Sequence, residues 1–130
     1  MIPPNIRKKL RHIECRILGV NNDFKNMRNE EIFDKIYNEG IWGRDKSMIS
    51  TSGGGSHIKE IINPYITKVS DFLKKIKPSV IVDLGCGDFN VGSKFVSLTD
   101  RYIACDVSNV ILRRNKDKFS SLKNVEFKFK

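Results

Sequence analysis

Apolar positions along this chain follow two periods, one helical and one strand-like, and the change between them marks where the chemistry should lie. Ile6, Leu10, Ile13 and Ile17 recur at separations of four, three and four, which places them on one stripe of a helix over residues 4–18. Gly19-Val20-Asn21-Asn22-Asp23 is a linker by composition. A second helix is expected to start with Asn29 as its cap and to stop at Gly40. Glu30 and Glu31 suit its positive end, and Ile32, Phe33, Ile36 and Tyr37 form its buried face. A third helix, capped by Ser56 or Asn63 with Pro64 at its first position, carries Tyr65, Ile66, Val69, Phe72, Leu73 and Ile76 at helical spacing.

Three segments read as strands instead: 79–84, 102–107 and 125–129. Val80-Ile81-Val82-Asp83-Leu84 is short, β-branched and bounded by Pro78 and Gly85, which suits a strand buried in a parallel sheet. Ser108 can cap a helix over 109–119, and Asn90 a helix over 91–98. Strands alternating with helices give an α/β class with a parallel sheet.

The turn after the first strand, Gly85-Cys86-Gly87-Asp88-Phe89-Asn90, narrows the chemistry. Glycines at 85 and 87 allow a sharp turn and a close approach of a ligand to the main chain. A dinucleotide fingerprint needs glycine where this chain has Asn90. A P-loop needs lysine and then serine or threonine, whereas Ser93-Lys94 has the reverse order. What remains is an acid two residues before the first glycine, suited to a ligand with a positively charged amino group, such as the amino-acid end of S-adenosylmethionine. A second acid, Asp106, ends the next strand 21 residues beyond Gly85, near the separation expected for a ribose-binding carboxylate. The plainer alternatives are a turn-capping role for Asp83 and an Asx-turn before Ser108 for Asp106. The two acids together at this spacing favour a cofactor site.

Asp83-Leu84-Gly85-Cys86-Gly87 resembles the first motif of class I S-adenosylmethionine-dependent methyltransferases. That family often has a third glycine where this chain has Phe89, and Gly87-Asp88-Phe89-Asn90 is similar to a subgroup variant. The resemblance implies a Rossmann-like sheet and S-adenosylmethionine as cofactor. Asp83 would orient the methionine moiety and the Gly85-Cys86-Gly87 main chain would line its pocket. Asp106 would hold the ribose, with Val107 near the adenine. The order helix, Trp42-Gly43, Ser/Gly-rich loop, helix, first motif is similar to a subgroup that modifies surface polysaccharides or small molecules, so a small polar or saccharide acceptor is implied. By the same resemblance, residues 56–130 are the first half of a cofactor-binding domain, an amino-terminal portion of a seven-stranded fold, so a truncated non-catalytic cofactor-binding or interaction module is an alternative to an enzyme. Residues 1–55 are then a helical extension with a Gly/Ser-rich loop. The first strand, central in the family, would lie at an edge here, which invites self-association along Val80–Leu84.

The loop Ser50-Thr51-Ser52-Gly53-Gly54-Gly55-Ser56 is either a free linker or a segment that orders over the cofactor. Trp42 reads as a packing anchor rather than an adenine platform. Asp88 is a weak candidate for a general base, a turn carboxylate being the better reading, and no catalytic base is named. The formal charge of +9 makes RNA an alternative acceptor, ranked below solvated helix faces because aromatics are not interleaved with the basic runs. Cys15, Cys86 and Cys105 form no C-x-x-C pair, which suits a reducing cytoplasm, and Cys86 and Cys105 read as small buried fillers. A zinc site is not expected at His12 or His57. No apolar run reaches membrane-spanning length and no signal-peptide core opens the chain. No membrane partner is expected.

Overall fold

A computed structural model describes residues 24 and 26–130; the expected helix over 4–18 and the linker after it lie outside them. The described elements are α1 (Asn29–Glu39), α2 (Lys59–Ile76), β1 (Val80–Leu84), β2 (Arg101–Asp106), α3 (Asn109–Lys118) and β3 (Val125–Phe129). The three strands form one parallel sheet in the order β1-β2-β3. The α/β class and the Rossmann-like arrangement of the first three strands are therefore as the sequence implies. In register, Asp83 stands opposite Ala104 and Leu84 opposite Cys105, so both strand-end acids emerge on one edge of the sheet, the carboxyl end.

One face of the sheet holds the core. Phe89, Phe95, Val96, Tyr102, Ala104 and Leu73 form a buried cluster, with Ile81 and Phe127 packed against it. Phe89 occupies its centre: its ring is fully buried and meets Tyr102, Phe119 and Phe127 edge-on at centroid distances of 5.3, 5.2 and 5.0 Å. The backbone of Phe89 is left-handed, with φ at 59°, a conformation that favours glycine.

The other face is open along β1, where Val80, Val82 and Leu84 are 45%, 56% and 77% exposed. Among the described residues no strand pairs with the outer side of β1.

Three local readings are corrected. First, residues 91–98 form two 3-10 turns, Gly92–Lys94 and Val96–Leu98, rather than an α-helix. Asn90 does not cap it, because its side-chain amide donates to the Ser56 carbonyl at 2.6 Å. Second, α2 starts at Lys59, so Pro64 lies inside the helix. The first turn is held by Ile61 and Ile62 N–H groups on the Ile58 carbonyl and by burial of Ile62. Of its expected buried positions, Leu73 is buried, Ile66 and Val69 are half-buried, and Tyr65, Phe72 and Ile76 are exposed. Third, α1 has Arg28 rather than Asn29 at its N-cap position, with the Glu31 carboxylate accepting from the Arg28 N–H at 2.8 Å. Its end at Gly40 and the Ser108 cap of α3, which accepts from the Ile111 N–H, are as expected.

Candidate functional site

The chain turns at Gly85 directly from the end of β1. Gly85 has φ at 80°, and a side chain there would point into open space. Its N–H and that of Cys86 both donate to the Cys105 carbonyl at 2.9 Å, which fixes the turn against β2. Gly87 is also left-handed, with φ at 54°, but its reason is different. A Cβ at 87 would collide with the Ser52 side chain and come within 3.2 Å of the Tyr37 hydroxyl. The second glycine thus makes room for the Ser/Gly-rich loop, a neighbour that spacing along the chain does not reveal.

That loop is fastened onto the glycine turn. Asp88 accepts from the Ser52 N–H at 2.8 Å and pairs with His57 Nε2 at 2.5 Å. The Asp88 N–H donates to Ser52 Oγ at 2.7 Å, and the Asn90 N–H donates to Asp88 Oδ1 at 3.2 Å. Asp88 is engaged on both oxygens as a turn and fastening carboxylate. The sequence did not signal Ser52, His57 or Tyr37, because their partners lie 15 to 36 positions away.

Two cavities meet at this turn. The first, of about 270 Å³, is lined by Asp83, Gly85, Cys86, Asp88, Tyr65 and Tyr102 among others. The second, of about 510 Å³, is lined by Gly85, Gly87, Asp106 and Val107 together with Phe33, Tyr37 and Trp42. Gly85 and Ser56 border both. All six residues singled out in the sequence, Asp83, Gly85, Cys86, Gly87, Asp106 and Val107, therefore line one two-part crevice.

The electrostatics differ between its ends. Asp83 accepts from the Tyr102 hydroxyl at 3.0 Å. Burial raises its carboxyl above the ordinary range, and the Asp106 charge adds to this, against the Tyr102 hydrogen bond. Burial, followed by the Asp83 carboxylate, pushes the Tyr102 phenol up. Burial, with Asp106 and Asp83, likewise holds Cys86 as a neutral thiol, consistent with a filler and not a nucleophile. Tyr37 is pushed up to about 12, chiefly by burial, so its hydroxyl stays protonated beside Ser52 Oγ at 3.0 Å.

Asp106 is buried, and its two oxygens accept from the Gly87 N–H and the Ser108 N–H, each at 2.9 Å. The Asx-turn reading is thus present. A carboxylate offers about four lone-pair sites, so acceptor capacity remains for a ligand. Asp34 of α1 accepts from Ser108 Oγ at 2.6 Å and from the Val110 N–H at 3.1 Å, which ties α1 to the start of α3 beside the site.

The raised Asp83 carboxyl carries a pH prediction. Its folded pKa lies above its unfolded one, so its contribution to stability is full below about pH 4 and is lost as pH rises through the folded value. Asp83→Asn keeps an acceptor for Tyr102 and removes the buried charge. In thermal melts without ligand, the variant is expected to exceed wild type near neutral pH, with the gap closing towards about pH 4. A gap that is constant across pH would contradict the cause.

Among the described residues, no group of three or more His, Cys, Asp or Glu side chains is placed to hold a metal ion. No described helix is long and apolar enough to cross a membrane. No protein-family model and no curated protein matches the chain. Among solved structures it is similar to the methyltransferase domain of bacterial CtHen1-C, with 24% identity and a TM-score of 0.45. The match covers 51% of this chain and 38% of that one.

Proposed function

We propose that the chain carries the S-adenosylmethionine site of a methyltransferase. The observation that supports this reading most is the two-part crevice at the carboxyl end of parallel strands β1 and β2, with Asp83 at one end, Asp106 at the other and Gly85 between them. Such crevices are where open α/β sheets bind nucleotide-like ligands.

A buried carboxylate is costly until a cation reaches it. The ammonium of the methionine moiety would relieve Asp83, and the Gly85 turn leaves space beside it. The larger cavity then takes the nucleoside, with spare Asp106 acceptor sites for the ribose hydroxyls and Val107 beside the base. The cofactor, when bound, supplies the activated methyl group. The residues of this chain hold and orient it and keep water from the crevice, a contribution through proximity and alignment.

Calorimetric titration of the chain with S-adenosylmethionine tests this. Saturable binding is expected, weakened about 10-fold to 100-fold by Asp83→Ala, as for loss of a hydrogen-bonded charge pair. Unchanged binding in that variant would sink the placement of the methionine end.

The resemblance read from the motifs supports a small polar or saccharide acceptor. A second reading, RNA, is favoured by one observation: Arg44, Arg114 and Lys118, against one acid, Asp117, line a cavity of about 700 Å³ that also takes in Met48, Ile49 and Ser50. Transfer of a labelled methyl group to saccharide or to RNA separates the two, and an RNA acceptor would bring steep salt dependence.

A further inference from the structure

We infer that Trp42 is a ligand-contacting residue, the wall against which the base of the nucleoside packs in the cavity that holds Asp106. This rests on the cofactor reading above and extends it to the segment that precedes the sheet. As a packing anchor, Trp42 should be buried. Its neighbour Tyr37 is 2% exposed, whereas Trp42 is 43% exposed and lines the same cavity as Asp106 and Val107.

The position of Trp42 is set by backbone contacts. Gly40 ends α1 in the left-handed conformation, and the Gly43 N–H donates to the Gly40 carbonyl at 3.0 Å, which turns the chain back onto the helix. The Thr51 N–H then donates to the Gly43 carbonyl at 3.0 Å, and Arg44 bridges to Ser50. The indole meets Phe33 and Tyr37 edge-on, at 5.7 and 5.9 Å. Neither ring stacks parallel to it, and with Trp42 still 43% exposed a flat ligand can take an aromatic contact there. An aromatic side chain and a carboxylate with spare acceptor sites lining one cavity fit a base joined to a sugar diol: one group recognises the π-face and the other the hydroxyls.

Trp42 is the only tryptophan in the chain, so its fluorescence reports on this wall directly. The 130-residue chain would be titrated with S-adenosylhomocysteine while heat and tryptophan emission are followed together. Emission is expected to change saturably with the affinity found by heat. Adenosine alone should reproduce the change and methionine alone should not. Trp42→Ala is expected to weaken binding on the order of ten-fold, and Trp42→Phe, which keeps a flat ring and guards against misfolding, by less. Binding heat with unaltered emission, and with wild-type affinity in Trp42→Phe and Trp42→Ala, would overturn the wall while leaving the cofactor reading standing. No binding heat at all would overturn the cofactor reading, and the wall with it.

Discussion

Phe89→Ala is expected to cost the fold about 3–5 kcal/mol, and Phe89→Gly about 1 kcal/mol less, an inversion of the usual order of these two replacements. The ring is fully buried between Tyr102, Phe119 and Phe127, so either variant opens a large cavity in the core. Backbone conformation separates them. With φ at 59°, alanine keeps the strain of a left-handed residue, and glycine does not. Wild type tolerates that strain because burial of the ring outweighs about 1–2 kcal/mol. Since small domains are stable by only about 5–15 kcal/mol, both variants should show a clear drop in denaturation midpoint. Alanine more stable than glycine would show that strain at position 89 is not what the ring offsets.

The same residue shows why the turn was partly legible from the sequence. Where the resembled motif often has a third glycine, Phe89 looks like a departure, yet the backbone there keeps the conformation a glycine would take. What changed is the packing, since the ring fills the core beneath the turn. Strands were legible because Val80-Ile81-Val82 and Tyr102-Ile103-Ala104 carry their preference locally. The three-residue turns at 92–98 were not. Val91, Phe95 and Leu98 have helical spacing, but the segment is short, contains Gly92 and two serines, and loses its cap when Asn90 turns to Ser56. Pro64 misled for a related reason: burial of Ile62 extends α2 by a turn and a half ahead of the residue that usually starts a helix.

The site divides along the same line. Asp83, Gly85 and Asp106 were legible because a strand end and its turn are contiguous in sequence. The Ser/Gly-rich loop was legible as a segment that could order there, but the residues that fasten it were not, because Ser52 and His57 find Asp88 only in three dimensions. Trp42 was read as a packing anchor in preference to an adenine platform, and the choice was not legible because which side of a tryptophan is covered depends on the helix it folds back upon.

One experiment separates the turn-holding role of Asp106 from the ribose-binding role proposed for it. Asp106→Ala removes the acceptor of the Gly87 and Ser108 N–H groups, at about 1–3 kcal/mol for each donor left buried and unpaired. It would lower both stability and binding, whichever role matters for the ligand. Asp106→Asn keeps one acceptor oxygen and loses the charge, so it is the variant for a thermodynamic cycle. S-adenosylhomocysteine and an analogue lacking the ribose 2′-hydroxyl would be titrated against wild type and Asp106→Asn. If Asp106 holds the ribose, wild type should lose about 1.5–3 kcal/mol on removal of that hydroxyl, the strength of a hydrogen bond to a charged acceptor. The variant should lose distinctly less, leaving a coupling of about 1 kcal/mol or more. Equal losses would mean that Asp106 acts on the ligand only by holding the Gly87 turn in place, and that the ribose is recognised by another group.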